Sequence, residues 1–281
     1  MNYRIFLLFF LLNVAFFANF ASKNYVFMKK NLFKYLISAS FFILTGCSSY
    51  HITSISRTQV VVDSHYDANP DEEATAFLDP YKQKVDSMMS PVVGHLARTM
   101  SSDRPESLLS NLLSDILVWT AAQYGEKADF GVYNMGGIRA SLPQGTVTFG
   151  DVLEVAPFEN KICFLSLKGS DVKQLFREIA AIGGEGVSHS VRLVITKDKK
   201  MAGLTIDGKE VDDNRTYRIA TIDYLSEGND RMPSFAKHFD LNSPAGKAND
   251  MRCIISDFFR IMDKKGVVVD AKIEGRVVVL N

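Results

Sequence analysis

The residues with the clearest chemical potential are Asn134-Met135-Gly136-Gly137-Ile138-Arg139. They combine an amide, two adjacent glycines and a guanidinium at the end of a strand expected from Ala128 to Tyr133. Paired glycines let a backbone approach a ligand closely, and their N–H groups can converge on an anion. Arg139 adds a planar fork suited to phosphate or carboxylate. Downstream, Pro157-Phe158-Glu159-Asn160 sets an apolar ring between a proline and an amide. Taken alone, the first motif also reads as a tight turn with a solvated arginine, which is the commonest use of such glycines.

Other catalytic constellations are missing from the sequence. It holds no GxSxG elbow, no Walker A loop and no HExxH zinc helix. The histidines at 51, 65, 95, 189 and 238 are scattered, and His95, among Val92, Val93 and Leu96, reads as structural. A two-metal phosphoesterase needs Asp, His and Asn ligands from several loops to hold its ions about 3.5–4 Å apart. No such series is present, so a catalytic dimetal site is not expected from this chain alone.

The elements that must position the motifs are legible from periodicity and punctuation. Asn69-Pro70-Asp71-Glu72-Glu73 starts a helix that runs to Ser90, with Phe77, Tyr81, Val85, Met88 and Met89 at helical spacing. Val92 to Met100 reads as a strand. After the polar loop at 101–107, Leu108, Leu109, Leu112, Leu113, Ile116, Leu117 and Thr120 share one helical face, ended by Gly125. Asn111 and Asp115 lie on this helix, as a solvated face or a cap for a neighbouring loop. A short helix is expected from Gly150 to Ala156, a strand from Lys161 to Lys168 and a helix from Gly169 to Ala181. Gly183-Gly184-Glu185-Gly186 reads as a loop. Strands follow at 191–196 and 203–206, the second turning at Asp207-Gly208. Further strands are expected from Tyr217 to Asp223, at Val267-Val268-Val269 and from Arg276 to Leu280. A helix from Asn249 to Lys264 precedes the last two. These signals describe one α/β domain of mixed α+β character, with layered sheets and helices, over residues 80–281.

The N-terminal region is of a different kind. Met28-Lys29-Lys30, the apolar run Leu32 to Leu44 and Leu44-Thr45-Gly46-Cys47 resemble a signal peptide ending in a bacterial lipobox. Residues 1–46 are therefore expected to be a signal segment, with Met28 as the true start. Cys47 would carry the lipid, and residues 47–79 would tether the domain. The expected location is the bacterial cell envelope, with the protein held at a membrane through that lipid. Residues 1–46 contain Arg4, Lys23, Lys29, Lys30 and Lys34 and no acidic residue, so removing them turns a balance of 32 basic and 32 acidic side chains into a net charge of about −5. That excludes the broad basic surface a DNA- or RNA-binding protein needs, and any phosphate contact must come from a focused pocket. Gln59 to Val62 could form an edge strand. Cys163 and Cys253 lie in apolar segments and are expected to be buried free thiols.

Four blocks together resemble the C-terminal domain of the 5′-nucleotidase family. They are Arg104-Pro105-Glu106-Ser107 with Asn111, the Asn134–Arg139 motif, Pro157–Asn160, and the run from Ala220 to Asp230. In that family a metallophosphoesterase domain holds two divalent ions and the C-terminal domain grips the nucleotide. The resemblance implies a nucleotide- or nucleoside-binding pocket in this chain. Arg139 would take the anionic part, with Asn134 and the Gly136-Gly137 backbone, and Arg104 would be a second guanidinium. Phe158 and Tyr224 would sandwich the base, Asn160 would bond its edge, and Asp230 would accept from the ribose hydroxyls. Read singly, Phe158 and Tyr224 are also core candidates, and Asp230 a loop cap. The family's Gly-Gly-Asp-Gly is replaced by Gly228-Asn229-Asp230-Arg231, with Asn229 a candidate for the left-handed turn, and Ser110 stands where a glycine is usual. The implied function is the substrate-binding part of a split 5′-nucleotidase, whose two metal ions sit in a separate metallophosphoesterase chain. A non-enzymatic nucleotide-binding surface lipoprotein is the alternative.

Overall fold

A computed structural model describes residues 52–280. The signal segment and Cys47 lie outside the described residues. The chain divides into two units at Asn69/Pro70. Within its described residues the first holds a single 3-10 turn, Ser64–Ala68, and residues 59–62 form no strand. No helix among the described residues is long and apolar enough to cross a membrane.

The second unit opens with helix α1 (Glu72–Met89), whose start is capped by the Asp71 carboxylate accepting from the Ala74 N–H at 2.8 Å. None of its residues is buried, and Phe77, Tyr81, Val85 and Met88 are exposed. Strand β1 (Val92–Leu96) is shorter than expected; Met100 makes only an isolated bridge to Leu142. Helix α2 (Leu108–Ala121) is fixed at its start by a reciprocal hydroxyl pair, Ser107 at the cap and Ser110 three residues on. A 3-10 turn follows, and Gly125 ends it in the left-handed conformation (φ 68°). Leu109, Leu113, Ile116 and Leu117 are wholly buried on the face predicted from spacing. Each such side chain contributes about 1.5–3 kcal/mol of apolar burial.

Strand β2 (Phe130–Tyr133) is followed by β3 (Gly145–Thr148), helix α3 (Phe149–Val155) and β4 (Ile162–Lys168). Helix α4 (Gly169–Ala181), β5 (Gly186–Val187), β6 (Val191–Ile195), β7 (Met201–Ile206) and β8 (Lys209–Glu210) come next. Asp207 and Gly208 both have positive φ (51° and 71°), as the expected hairpin turn requires. Strand β9 (Thr216–Ile222) runs into a one-turn helix α5 (Asp223–Ser226). Strand β10 (Phe239–Asn242), helix α6 (Met251–Lys264) and β11 (Val277–Val279) complete the unit. Strand β10 was not foreseen: Phe239-Asp240-Leu241-Asn242 does alternate apolar and polar residues, but the run is only four residues long and its apolar side chains stay exposed in the structure. Residues 267–269 are not a strand either; Val269 alone bridges Leu96.

The strands form a central sheet in the order β10-β4-β9-β2-β5, a four-stranded sheet β11-β6-β7-β8 and the pair β1-β3. Parallel and antiparallel neighbours mix in the first two sheets. Helix α2 sits so close to β2 that a Cβ on Gly131 would stand 2.7 Å from the Ser114 carbonyl. Ser110, where the family has glycine, fits because Gly186 faces it without a side chain; a Cβ there would meet the Ser110 carbonyl at 3.1 Å. Asn111 is buried, and its amide donates to Glu106 and to the Lys272 carbonyl, holding neighbouring segments to the helix. Asp115 pairs with both terminal nitrogens of Arg276, at 2.9 and 2.7 Å. Cys163 is buried and its thiol is pushed up to about 12 by desolvation, whereas Cys253 is half-buried rather than fully enclosed. His95 is exposed and reaches Asp263 at 2.9 Å, so its role is a surface contact rather than core packing.

Candidate nucleotide-binding site

Strand register explains why distant motifs meet. Strands β2 and β9 are parallel neighbours, so their C-terminal ends release Asn134 and Asp223 at the same edge of the central sheet. Strand β4 is antiparallel to β9 with Ile162 opposite Ile222, which brings the segment before it, Phe158 to Lys161, to that edge too. Strand β5 is antiparallel to β2 with Gly186 opposite Tyr133, which sets Glu185 behind the Asn134 turn. A crevice beyond the carboxyl ends of parallel strands is where α/β sheets place ligands.

At this edge Met135–Gly137 forms one turn of 3-10 helix. The Asn134 side chain is buried, and its Nδ2 donates to Asp230 Oδ2 at 2.8 Å. Tyr224 donates its hydroxyl to the other oxygen, Oδ1, at 2.9 Å, and this bond raises the tyrosine pKa above its ordinary value. Asp230 therefore ties the second motif to the last. A Cβ on Gly137 would stand 2.8 Å from Asn134 Oδ1, so the glycine makes room for the amide. That Oδ1 is buried and accepts no hydrogen bond among the described residues.

Arg139 is exposed; it donates to the Gly136 carbonyl and lies over the Phe158 ring, its guanidinium carbon 4.8 Å from the centroid. One face of Phe158 is thus occupied by Arg139. Phe158 and Tyr224 are both substantially exposed, at 43% and 38%, which removes the core reading of each. The carbonyl of Asn160 accepts from the Met251 N–H at 2.9 Å, and its side chain makes no hydrogen bond among the described residues. Among the described residues no hydrogen bond joins it to the Asp230 cluster.

The turn does not present a row of free N–H groups. Gly137 donates to the Asn134 carbonyl and Ile138 to that of Met135. The Met135 N–H donates at 2.5 Å to Glu185, a carboxylate supplied by the chain itself. Glu185 is almost wholly buried and also accepts from Arg104, whose Nε donates to the Gly184 carbonyl at 2.8 Å. Burial raises the Glu185 pKa against the opposing pull of Met135 and Arg104. Arg104 therefore stands at the site with its charge matched internally. Glu185 had no sequence signal, since it lies in a glycine-rich stretch that reads as a loop.

The turn expected of Asn229 is made by its neighbours. Gly228, Asp230 and Arg231 have φ of 86°, 54° and 63°, while Asn229 donates to the Tyr224 carbonyl at 2.8 Å. Beside Asp230 lies a cavity of about 460 Å³, lined by Arg104, Gly136, Glu185, Asp230, Arg231 and Lys199, with Ala181 and Ile182. Among the described residues no group of three or more His, Cys, Asp or Glu is placed to hold a metal ion, so the donors present do not fit a dimetal centre.

Comparison with known proteins shows the family and the fold. Residues 92–237 match the family model for "5′-nucleotidase, C-terminal domain". Protein UshA of Yersinia enterocolitica is 28% identical over 166 residues, 58% of this chain and 30% of its own. A 5′-nucleotidase of Vibrio cholerae is 26% identical over 172 residues, 60% of this chain and 31% of its own. The chain thus spans about a third of the length of these curated relatives. The crystal structure of a 5′-nucleotidase precursor from Thermus thermophilus superposes with a TM-score of 0.64 at 25% identity, covering 76% of this chain and 45% of that one.

Proposed function

This chain belongs to the 5′-nucleotidase C-terminal domain family, and we propose that it is the substrate-binding part of a split 5′-nucleotidase, gripping a nucleotide whose phosphate a separate metallophosphoesterase chain hydrolyses. The observation that carries the reading is the Tyr224–Asp230–Asn134 hydrogen-bonded series next to Arg139 and Phe158. It sets a carboxylate for ribose hydroxyls, two exposed rings for a base and a guanidinium for an anion around one sheet edge. Asp230 accepts from the ribose while Asn134 and Tyr224 hold its oxygens in place. Base stacking on Phe158 uses its open face, or the face that Arg139 vacates when the guanidinium turns to the phosphate. Stacking tolerates many bases because each has a π-face. Asn160, two residues from Phe158, is assigned to the base edge.

The metals and the attacking water belong to the partner in this reading, and no hydrolytic step is assigned to this chain's residues. The apolar stripe of α1, with Phe77, Tyr81, Val85 and Met88 exposed, supplies a surface for that phosphoesterase chain to cover. A lipid on Cys47 would hold the assembly at the cell envelope.

Calorimetry of the purified protein with AMP, UMP and adenosine tests the grip; one clear binder is expected, and AMP should bind more tightly than adenosine. Hydrolysis assays with Mg²⁺, Mn²⁺ or Zn²⁺ test the division of labour. Little turnover is expected until a metallophosphoesterase chain is added, and robust turnover by this chain alone would overturn it.

A further inference from the structure

We propose that the cavity beside Asp230 is a second anion subsite, formed by Arg231 and Lys199, which accepts a phosphate on the 2′ or 3′ ribose oxygen of a nucleotide already phosphorylated at its 5′ end. The proposal rests on the nucleotide reading above.

Three cations and two carboxylates line this cavity. Arg104 and Glu185 pair with each other and leave no net charge. Asp230 accepts at its two oxygens from neutral donors, Asn134 and Tyr224, and pairs with no cation among the described residues. The side chains of Arg231 and Lys199 make no hydrogen bond or ion pair with any described residue, although the Lys199 backbone N–H donates to the Thr196 carbonyl at 2.9 Å. The cavity is therefore left with two unmatched cations facing one carboxylate. In a recess partly walled from solvent, such a surplus attracts a group bearing more than one negative charge.

Position identifies which phosphate. Arg139, the guanidinium assigned to the 5′ phosphate, is not among the cavity's lining residues and lies over Phe158 instead, while Arg104, the second guanidinium, does line the cavity but with its charge matched by Glu185. Gly136 adjoins both places: its carbonyl accepts from Arg139, and it lines the cavity together with Asp230, whose Oδ2 would stand 3.4 Å from a Gly136 Cβ. Arg231 follows directly on the residue that accepts from the ribose. One ribose hydroxyl donating to Asp230 then sets the neighbouring ribose oxygen toward Arg231 and Lys199. Both cations also occupy left-handed backbone positions, with φ of 63° and 60°, which glycine fills without strain. Replacing either with glycine thus removes the charge while relaxing the backbone.

Calorimetry on the purified full chain with adenosine 3′,5′-bisphosphate, AMP and adenosine, at two salt concentrations, tests the assignment. The bisphosphate should bind about tenfold more tightly than AMP, the gain expected when charge-assisted hydrogen bonds are added. That advantage should shrink at high salt and fall to about twofold or less in the Arg231→Gly/Lys199→Gly protein, with circular dichroism confirming that the variant is folded. AMP and adenosine binding without any bisphosphate advantage overturns the second subsite and leaves the nucleotide grip standing. An advantage that survives in the double variant overturns it equally. Binding by none of the three ligands overturns both readings.

Discussion

Gly136 and Gly137 are adjacent, yet alanine at each should behave quite differently. At Gly137 a Cβ would stand 2.8 Å from Oδ1, 2.9 Å from Nδ2 and 3.1 Å from Cγ of Asn134. Asn134 is buried and held by Asp230, so its amide has little room to give. Overpacking of this kind costs about 1–3 kcal/mol, and pushing the amide off the carboxylate forfeits a charge-assisted hydrogen bond worth about 1.5–3 kcal/mol. Because relief of the first comes partly through the second, Gly137→Ala should lower stability by roughly 2–4 kcal/mol. At Gly136, which is exposed, the nearest atom to a Cβ is Asp230 Oδ2 at 3.4 Å. Gly136→Ala should therefore change stability by no more than about 0.5 kcal/mol. Urea unfolding followed by circular dichroism measures both, with unchanged m-values confirming comparable end states. The reasoning is sharpest in an Asn134→Ala background, where the obstructing amide is gone. There the Gly137→Ala cost should drop by at least about 1 kcal/mol, the coupling expected of residues in contact. Equal costs for the two glycines, or a Gly137→Ala penalty that persists without the Asn134 side chain, would refute the claim that this amide is locked in place.

Phe158→Ala should weaken AMP and adenosine binding alike by about 1–3 kcal/mol, whereas Tyr224→Phe keeps its ring and should cost less than Phe158→Ala; titration calorimetry compares the two. Arg139→Ala should weaken AMP far more than adenosine in the same assay, and equal losses would mean that the arginine supports the fold rather than the phosphate. Glu126 accepts from Arg218 Nε at 2.8 Å and Nη2 at 2.6 Å and from Asn242 at 2.8 Å, and the Arg218 bonds hold its pKa below the ordinary 4.5. A depressed carboxylate stabilises the fold above its unfolded-state pKa and loses that contribution as pH falls through the folded value. Glu126→Gln should accordingly cost about 1–2 kcal/mol at pH 7, and the gap to the parent should narrow below pH 4.5 in urea titrations. Glu185→Ala should destabilise the protein by about 2–4 kcal/mol, since it strips a buried partner from both Arg104 and the Met135 N–H; thermal unfolding monitors the loss.

Helix and strand positions were legible wherever the signal is local. Helix α4 occupies the residues predicted for it, and α2 buries the predicted leucine face behind a cap at Ser107. Periodicity and capping act over a few residues, so the chain states them directly. The same cues overreached at Val267–Val269, where β-branched residues have β propensity but find no continuous partner strand. They also left open whether the apolar stripe of α1 is covered, because spacing shows that a face exists and not what meets it. The motifs Asn134–Arg139, Phe158–Asn160 and Tyr224–Asp230 were visible in the sequence, and it was their joint resemblance to the 5′-nucleotidase family, not their residue types taken singly, that pointed to a nucleotide. Only the register of β2, β4, β5 and β9 brings three of these stretches to one edge, and it adds Glu185 from a stretch with no chemical signature. That register also decided against an open anion nest, since the N–H groups of the glycine turn are taken by the chain's own carbonyls and by a buried carboxylate. Strand pairing joins residues tens of positions apart through the summed packing of a whole sheet. Short-range pattern therefore names the chemistry, and long-range pairing determines which of its groups remain free for a ligand.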